Sequence, residues 1–98
     1  MKDIRCVILH TPGPKWQAGK GMFEQDGLSE HVDHYRKLQQ AGKLALGGPF
    51  LDGADGGVMV PEAGLTFEEI EAFARADPAV VSGLLNAEVR QWLIGIKR

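Results

Sequence analysis

Glu30-His31-Val32-Asp33-His34-Tyr35-Arg36-Lys37-Leu38-Gln39-Gln40-Ala41-Gly42-Lys43-Leu44-Ala45-Leu46-Gly47-Gly48-Pro49 is the stretch on which the fold turns. It reads as a helix, a glycine stop and a short strand that breaks at a Gly-Gly-Pro corner. Leu28, Val32, Tyr35 and Leu38 recur at helical spacing and define one apolar face. At about 100° per residue, His31 falls within that face and His34 on its edge, while Asp33 and Lys37 point the other way. The helix is expected to start at Leu28, with Asp26 or Ser29 as its N-cap, and Gly42 stands where helices commonly stop.

On the N-terminal side, Asp3 to His10 is a β-rich run, apolar on nearly both faces, and is expected to be a central strand. Thr11 to Gly27 then forms a long connection carrying Trp16, Met22 and Phe23. Loops of that length in compact domains tend to be lids or disordered. The three large apolar side chains favour a loop pinned to the body or to a partner copy, or closing over a pocket.

On the C-terminal side, Lys43 to Leu46 is a strand, Phe50 to Gly56 a turn, and Gly57 to Val60 the returning strand of a hairpin. Thr66 and Glu69 make a capping box, and Leu65 with Ile70 the matching hydrophobic staple. Phe67, Ile70, Phe73 and Ala74 supply the buried face of the helix that follows. It ends at Ala76-Asp77-Pro78, because a residue before proline avoids the helical region. Pro78 can open another short turn with Asp77 as its cap. Ala87 to Lys97 is expected to close the chain as a strand.

The order strand, helix, strand, strand, helix, strand predicts an α+β, ferredoxin-like βαββαβ fold with an antiparallel sheet. In that wiring the end of the first strand, the start of the first helix, the glycine corner and the end of the second helix share one rim. His10, His31, His34, Gly48, Pro49 and Asp77, far apart in sequence, are therefore expected near one another.

The 98 residues are expected to form one domain spanning 1–98. Eleven basic against thirteen acidic residues, with no basic cluster, argue against nucleic acid and against a membrane surface. No long apolar run or signal-peptide pattern is present, and the single Cys6 cannot form an internal disulfide. The cytoplasm is the expected compartment.

No phosphate loop or dinucleotide fingerprint occurs, so no cofactor is expected. His31 and His34, with His10 as a third ligand, could share a metal face. The supporting glutamate pair, second thiol or longer histidine motif is missing, and no metal is expected. Ser29 and Ser82 lack a nucleophile motif, and Cys6 lies inside a buried strand. What remains is a histidine beside an aspartate. A carboxylate in reach of an imidazole fixes its tautomer and favours its protonated form, while burial opposes it, which suits proton transfer near neutrality.

His31 and its amphipathic helix, Ala41-Gly42-Lys43-Leu44, Gly47-Gly48-Pro49, Ala76-Asp77-Pro78-Ala79-Val80 and Ser82-Gly83-Leu84, in this order and spacing, resemble the YCII-related (YciI-like) family. The resemblance spans roughly residues 28 to 96. It implies a ferredoxin-like fold pairing as a dimeric α+β barrel, hence a homodimer, with a histidine–aspartate acid/base pair in a pocket. By spacing to the glycine corner the family histidine matches His31 rather than His34, and the Asp-Pro aspartate matches Asp77. Relatives of this fold include muconolactone isomerases and a dehydrochlorinase of chlorinated hydroxyquinols. The loop from Thr11 to Gly27 is longer than in the simplest members.

Two readings follow. One is an isomerase- or lyase-type enzyme moving a proton on a small carbonyl or aromatic-derived compound, with His31 and Asp77 catalytic. His10, Trp16, His34, Gly48, Pro49, Phe50 and Ser82 would hold the substrate. The other is a non-catalytic dimer that binds a small metabolite or serves as an accessory module.

Overall fold

The β-branched run that begins at Ile4 builds the hub of the sheet. In a computed structural model describing residues 2–98, β1 (Asp3–Pro12) pairs antiparallel with a neighbour along each edge. The other elements follow in chain order as α1 (Leu28–Gln40), β2 (Leu44–Pro49), β3 (Gly57–Pro61), α2 (Phe67–Arg75), α3 (Pro78–Ser82) and β4 (Leu85–Ile94). The sheet order is β2-β3-β1-β4, all antiparallel, which is the ferredoxin-like arrangement expected from the sequence.

Alternation along β1 divides the sheet into two faces. Cys6, Ile8 and His10 point toward the helices, and Ile8 is completely buried. With Tyr35 and Leu38 of α1, Ile70 and Ala74 of α2, and Ala87 of β4, Cys6 and Ile8 make the core. On the opposite face Val7, Leu9 and Trp92 border a shallow groove uncovered by any element.

The helix boundaries have identifiable causes. α2 starts on the expected capping box: the Glu69 N–H donates to the Thr66 hydroxyl, and the Thr66 N–H donates to the Glu69 carboxylate. α1 starts differently from expectation. Its N-cap is Gly27, at a φ of 96° that favours glycine, while the Ser29 hydroxyl donates to Glu30 instead of capping. α1 ends as expected on Gly42. The Gly42 N–H donates to Gln39 and the Lys43 N–H to Leu38, the paired bonds that close a helix on a left-handed residue.

Four further expectations need correction. Gly47-Gly48-Pro49 does not break the second strand but belongs to it, because β2 is an edge strand where proline is tolerated. A Cβ at Gly47 would come within 2.2 Å of the Met59 sulfur, so the Met59 side chain would have to move aside to admit any other residue. The last strand begins at Leu85 and ends at Ile94, earlier at both ends than expected, since Gly83 has already turned the chain. Phe67, in the first turn of α2, is exposed rather than buried. Val32 also leaves the core and borders a cavity.

The long connection after β1 is folded down. The Gly13 and Lys15 N–H groups donate to Leu84 and Gly83, adding a short ladder beyond β1 and β4. Trp16 packs on the small cluster of Ala79, Leu84 and Leu85. The Gln25 side chain then ties the loop to itself. Its amide donates to the Gln17 and Lys20 carbonyls, and its oxygen accepts from the Gln17 N–H.

Candidate active site

Each polar group at the helix end of the sheet is delivered by a different element. β1 carries His10 on its helix-facing side near its C-terminal end. The first turn of α1 carries His31, and Tyr35 follows one turn later on the same face. Asp77 sits at the joint between α2 and α3, where proline at the first helical position fixes the turn.

The four side chains meet in the interior. His31 Nδ1 lies 2.5 Å from Asp77 Oδ2, and both groups are buried. His10 Nε2 stands 3.9 Å from the same oxygen. Tyr35 Oη and His10 Nε2 are hydrogen-bonded at 3.3 Å, and the rings of His10, His31 and Tyr35 pack edge to face.

Asp77 serves two purposes at once. Oδ1 accepts the Ala79 N–H at 2.9 Å and caps α3, while Oδ2 accepts from His31. The cap on α3 and the hydrogen bond with His31 therefore rest on separate oxygens of one carboxylate.

Burial pushes the Asp77 carboxyl up. The His31 hydrogen bond, the Ala79 N–H and the two imidazoles together outweigh it and hold Asp77 below its ordinary value, so it is a carboxylate at neutral pH. As an acceptor it requires the proton on His31 Nδ1, which fixes the tautomer. For His10 the balance runs the other way. Burial and the neighbouring His31 lower it to about 4 against the pull of Asp77, so His10 is neutral. Burial, then the Asp77 charge, raise the Tyr35 phenol well above its ordinary value and keep it protonated.

His10, His31 and Tyr35 open onto a cavity of about 470 Å³ between α1 and the β2 side of the sheet. Among the described residues no buried side-chain nitrogen or oxygen lacks a partner. No protein group among the described residues hydrogen-bonds His31 Nε2, and His31 borders this cavity. The floor is glycine backbone from Gly47, Gly48, Gly56 and Gly57, and Trp16 and Phe23 of the long loop stand at the wall.

Of the residues singled out from the sequence, His10, Trp16, His31, Gly48 and Pro49 border the cavity, and Asp77 lies behind His31. His34, Phe50 and Ser82 do not border it. The His34 Nε2–H donates to the Phe73 carbonyl and its ring stacks on Phe73, on the flank of α1 facing α2. The Ser82 hydroxyl donates to the Ala79 carbonyl and finishes α3. Phe50 lies on the exposed hairpin loop, where its N–H donates to Gly56. Helical spacing places Tyr35 in the core and gives Arg36 no role, yet both border the cavity, as does Met22 of the loop expected to close over a pocket. The spacing of Tyr35 four residues after His31 was the available signal for it.

His10, His31 and Asp77 also offer three ligand atoms within 4.8 Å of one another. They are the residues that could hold a metal ion, in place of the trio of histidines considered from sequence. His34 is too far round the helix to join them.

Fold and site together define a small ferredoxin-like α+β protein with a buried histidine–aspartate pair beside a cavity. The chain belongs to the YCII-related domain family, which its residues 4–93 match. It is 36% identical over 70 residues to the uncharacterized protein YjpA of Bacillus subtilis (strain 168), covering 71% of this chain and 80% of that one. Its fold is similar to that of 5-chloro-2-hydroxyhydroquinone dehydrochlorinase (TftG) from Burkholderia phenoliruptrix AC1100, solved in complex with 2,5-dihydroxybenzoquinone. The TM-score is 0.64 at 21% identity, over 89% of this chain and 92% of that one.

Proposed function

We propose that the protein is an enzyme that moves a proton on a small carbonyl or aromatic-derived compound, using His31 as acid and base and Asp77 as its orienting partner. The observation that carries this reading is the buried 2.5 Å contact between His31 Nδ1 and Asp77, on a histidine that itself borders the cavity. Nε2 takes a proton from carbon beside the carbonyl, and the resulting imidazolium keeps its Nδ1–H on the Asp77 carboxylate. In an isomerisation the proton returns at a second carbon. In an elimination a leaving group departs with the electron pair instead. Charge that develops on the substrate oxygen meets the Tyr35 hydroxyl, which burial keeps protonated and which is left free to donate when His10 carries its proton on Nε2 and donates to the phenol oxygen. The similarity in fold to a dehydrochlorinase supports this class of chemistry.

Two further features of the reading concern assembly and compartment. The uncovered sheet face, with Trp92, Val7 and Leu9, suits a second copy of the chain, giving a homodimer of facing sheets. Sedimentation of the wild type against Trp92→Glu tests it, and a monomeric wild type at micromolar concentration refutes it. Among the described residues no helix is long and apolar enough to cross a membrane. With its single thiol buried, the chain suits the reducing cytoplasm.

The catalytic reading is tested by proton NMR in D2O with a panel of enolisable ketones, lactones and halogenated hydroxyquinols. The expected result is enzyme-dependent deuterium exchange or turnover for at least one compound, reduced by about 10²–10⁴ in His31→Asn, the usual contribution of a general acid–base group. Cavity binding without exchange by the wild type, across the panel, would sink the reading and leave a binding protein.

A further inference from the structure

Among the side chains that border the cavity, Arg36 alone carries a fixed charge; the remaining walls are apolar, aromatic or glycine, with Gln39 as a neutral polar neighbour. Arg36 is exposed to solvent and enters no ion pair among the described residues, although the chain forms several elsewhere. It lies on the cavity side of α1, between Val32 one turn before it and Gln39 one turn after, both of which border the same space. An uncompensated guanidinium over an apolar cavity is a binding group for an anion, because its planar fork matches a carboxylate in two parallel hydrogen bonds.

We infer that the cavity selects an anionic substrate, whose acidic group is held by Arg36 while its reacting carbon faces His31. This inference rests on reading the cavity as the substrate site, and it adds the charge of the molecule that enters. Arg36 is a specificity residue and takes no part in the proton transfer.

The test compares 4-hydroxybenzoate with 4-hydroxybenzamide, probes of nearly the same shape that differ in charge, by calorimetry on the full chain. The acid is expected to bind at least about tenfold more tightly, equivalent to about 1.4 kcal/mol. Raising the salt concentration should shrink the difference. Arg36→Gln should erase the preference, and Arg36→Lys should keep part of it. His31→Asn should leave it in place while losing proton exchange. Equal affinity for acid and amide in the wild type, a preference that survives Arg36→Gln, or no binding of either probe at millimolar concentration would each overturn the inference. An Arg36-dependent preference in a protein that exchanges no proton would instead overturn the catalytic reading and leave this one standing.

Discussion

Replacing His10 by glutamine should remove a measurable part of the protein's sensitivity to mild acid. His10 is 2% exposed, and its folded value of about 4 lies below the 6.5 of an ordinary histidine. As pH falls, the unfolded chain therefore takes up a proton at this residue before the folded one does. The stability associated with neutral His10 is fully present above pH 6.5 and is lost as pH falls toward 4. With 1.36 kcal/mol per unit, the loss is about 2 kcal/mol at pH 5 and approaches about 3 kcal/mol at the lower limit. Asp77 titrates in a lower window: its folded value is depressed, so its contribution is lost only as pH falls below the ordinary carboxylate range. The pH 5–8 interval thus separates the His10 contribution from that of Asp77, and the comparison with His10→Gln subtracts the background common to both proteins.

Glutamine retains a polar group to meet the Tyr35 hydroxyl, so the substitution removes the titration without orphaning its partner. Urea unfolding at pH 8 and pH 5, followed by tryptophan fluorescence at fixed protein concentration, measures the difference. The wild type should lose about 2 kcal/mol more than His10→Gln over that interval. Equal losses in the two proteins would show that His10 is not held neutral by its surroundings, and the electrostatic account of the cluster would fail with it.

Three other outcomes are expected. Ile8→Ala, at a fully buried core position, should cost about 2–5 kcal/mol in chemical denaturation, and a loss below about 1 kcal/mol would contradict the packing described. Thr66→Ala removes the acceptor for the Glu69 N–H and should lower stability by about 1 kcal/mol, readable as a shift in the urea midpoint at unchanged slope. Gly56→Ala combines a left-handed φ of 80° with a Cβ only 2.2 Å from the His10 carbonyl oxygen. It should destabilise the hairpin and shift the His10 resonances in NMR, whereas Gly53→Ala, which shares the left-handed φ at 85° but has open space around it, should leave those resonances in place.

The parts of the fold legible from sequence were those encoded locally. The capping box at Thr66 and Glu69, the glycine stop at Gly42 and the apolar run of β1 each specify their element within a few residues, and connection rules then order the sheet. Less was legible where a distant partner decides. Gly47-Gly48-Pro49 looks like a terminator until β3 is known to pair with it, and Gly27 outcompetes Asp26 and Ser29 as a cap because the preceding loop arrives there in a left-handed conformation. Of the site, the meeting of His31 with Asp77 followed from topology. The neutral state of His10, the exposure of Phe50 and the turning of His34 onto Phe73 depend on side-chain packing that no spacing pattern states.

Asp77 and His31 stand 46 residues apart and belong to opposite halves of the βαββαβ chain. The first half holds the imidazoles, the phenol and Arg36; the second supplies the carboxylate and two of the floor glycines, Gly56 and Gly57. Neither half contains the whole cluster. The site comes into being only when the two halves dock, and the carboxylate that completes it is also the cap on which α3 begins. A chain interrupted between β2 and β3 would thus carry every ring of the cluster and still lack the group that orients them, so that recovery of the site on mixing the two fragments would report their correct assembly.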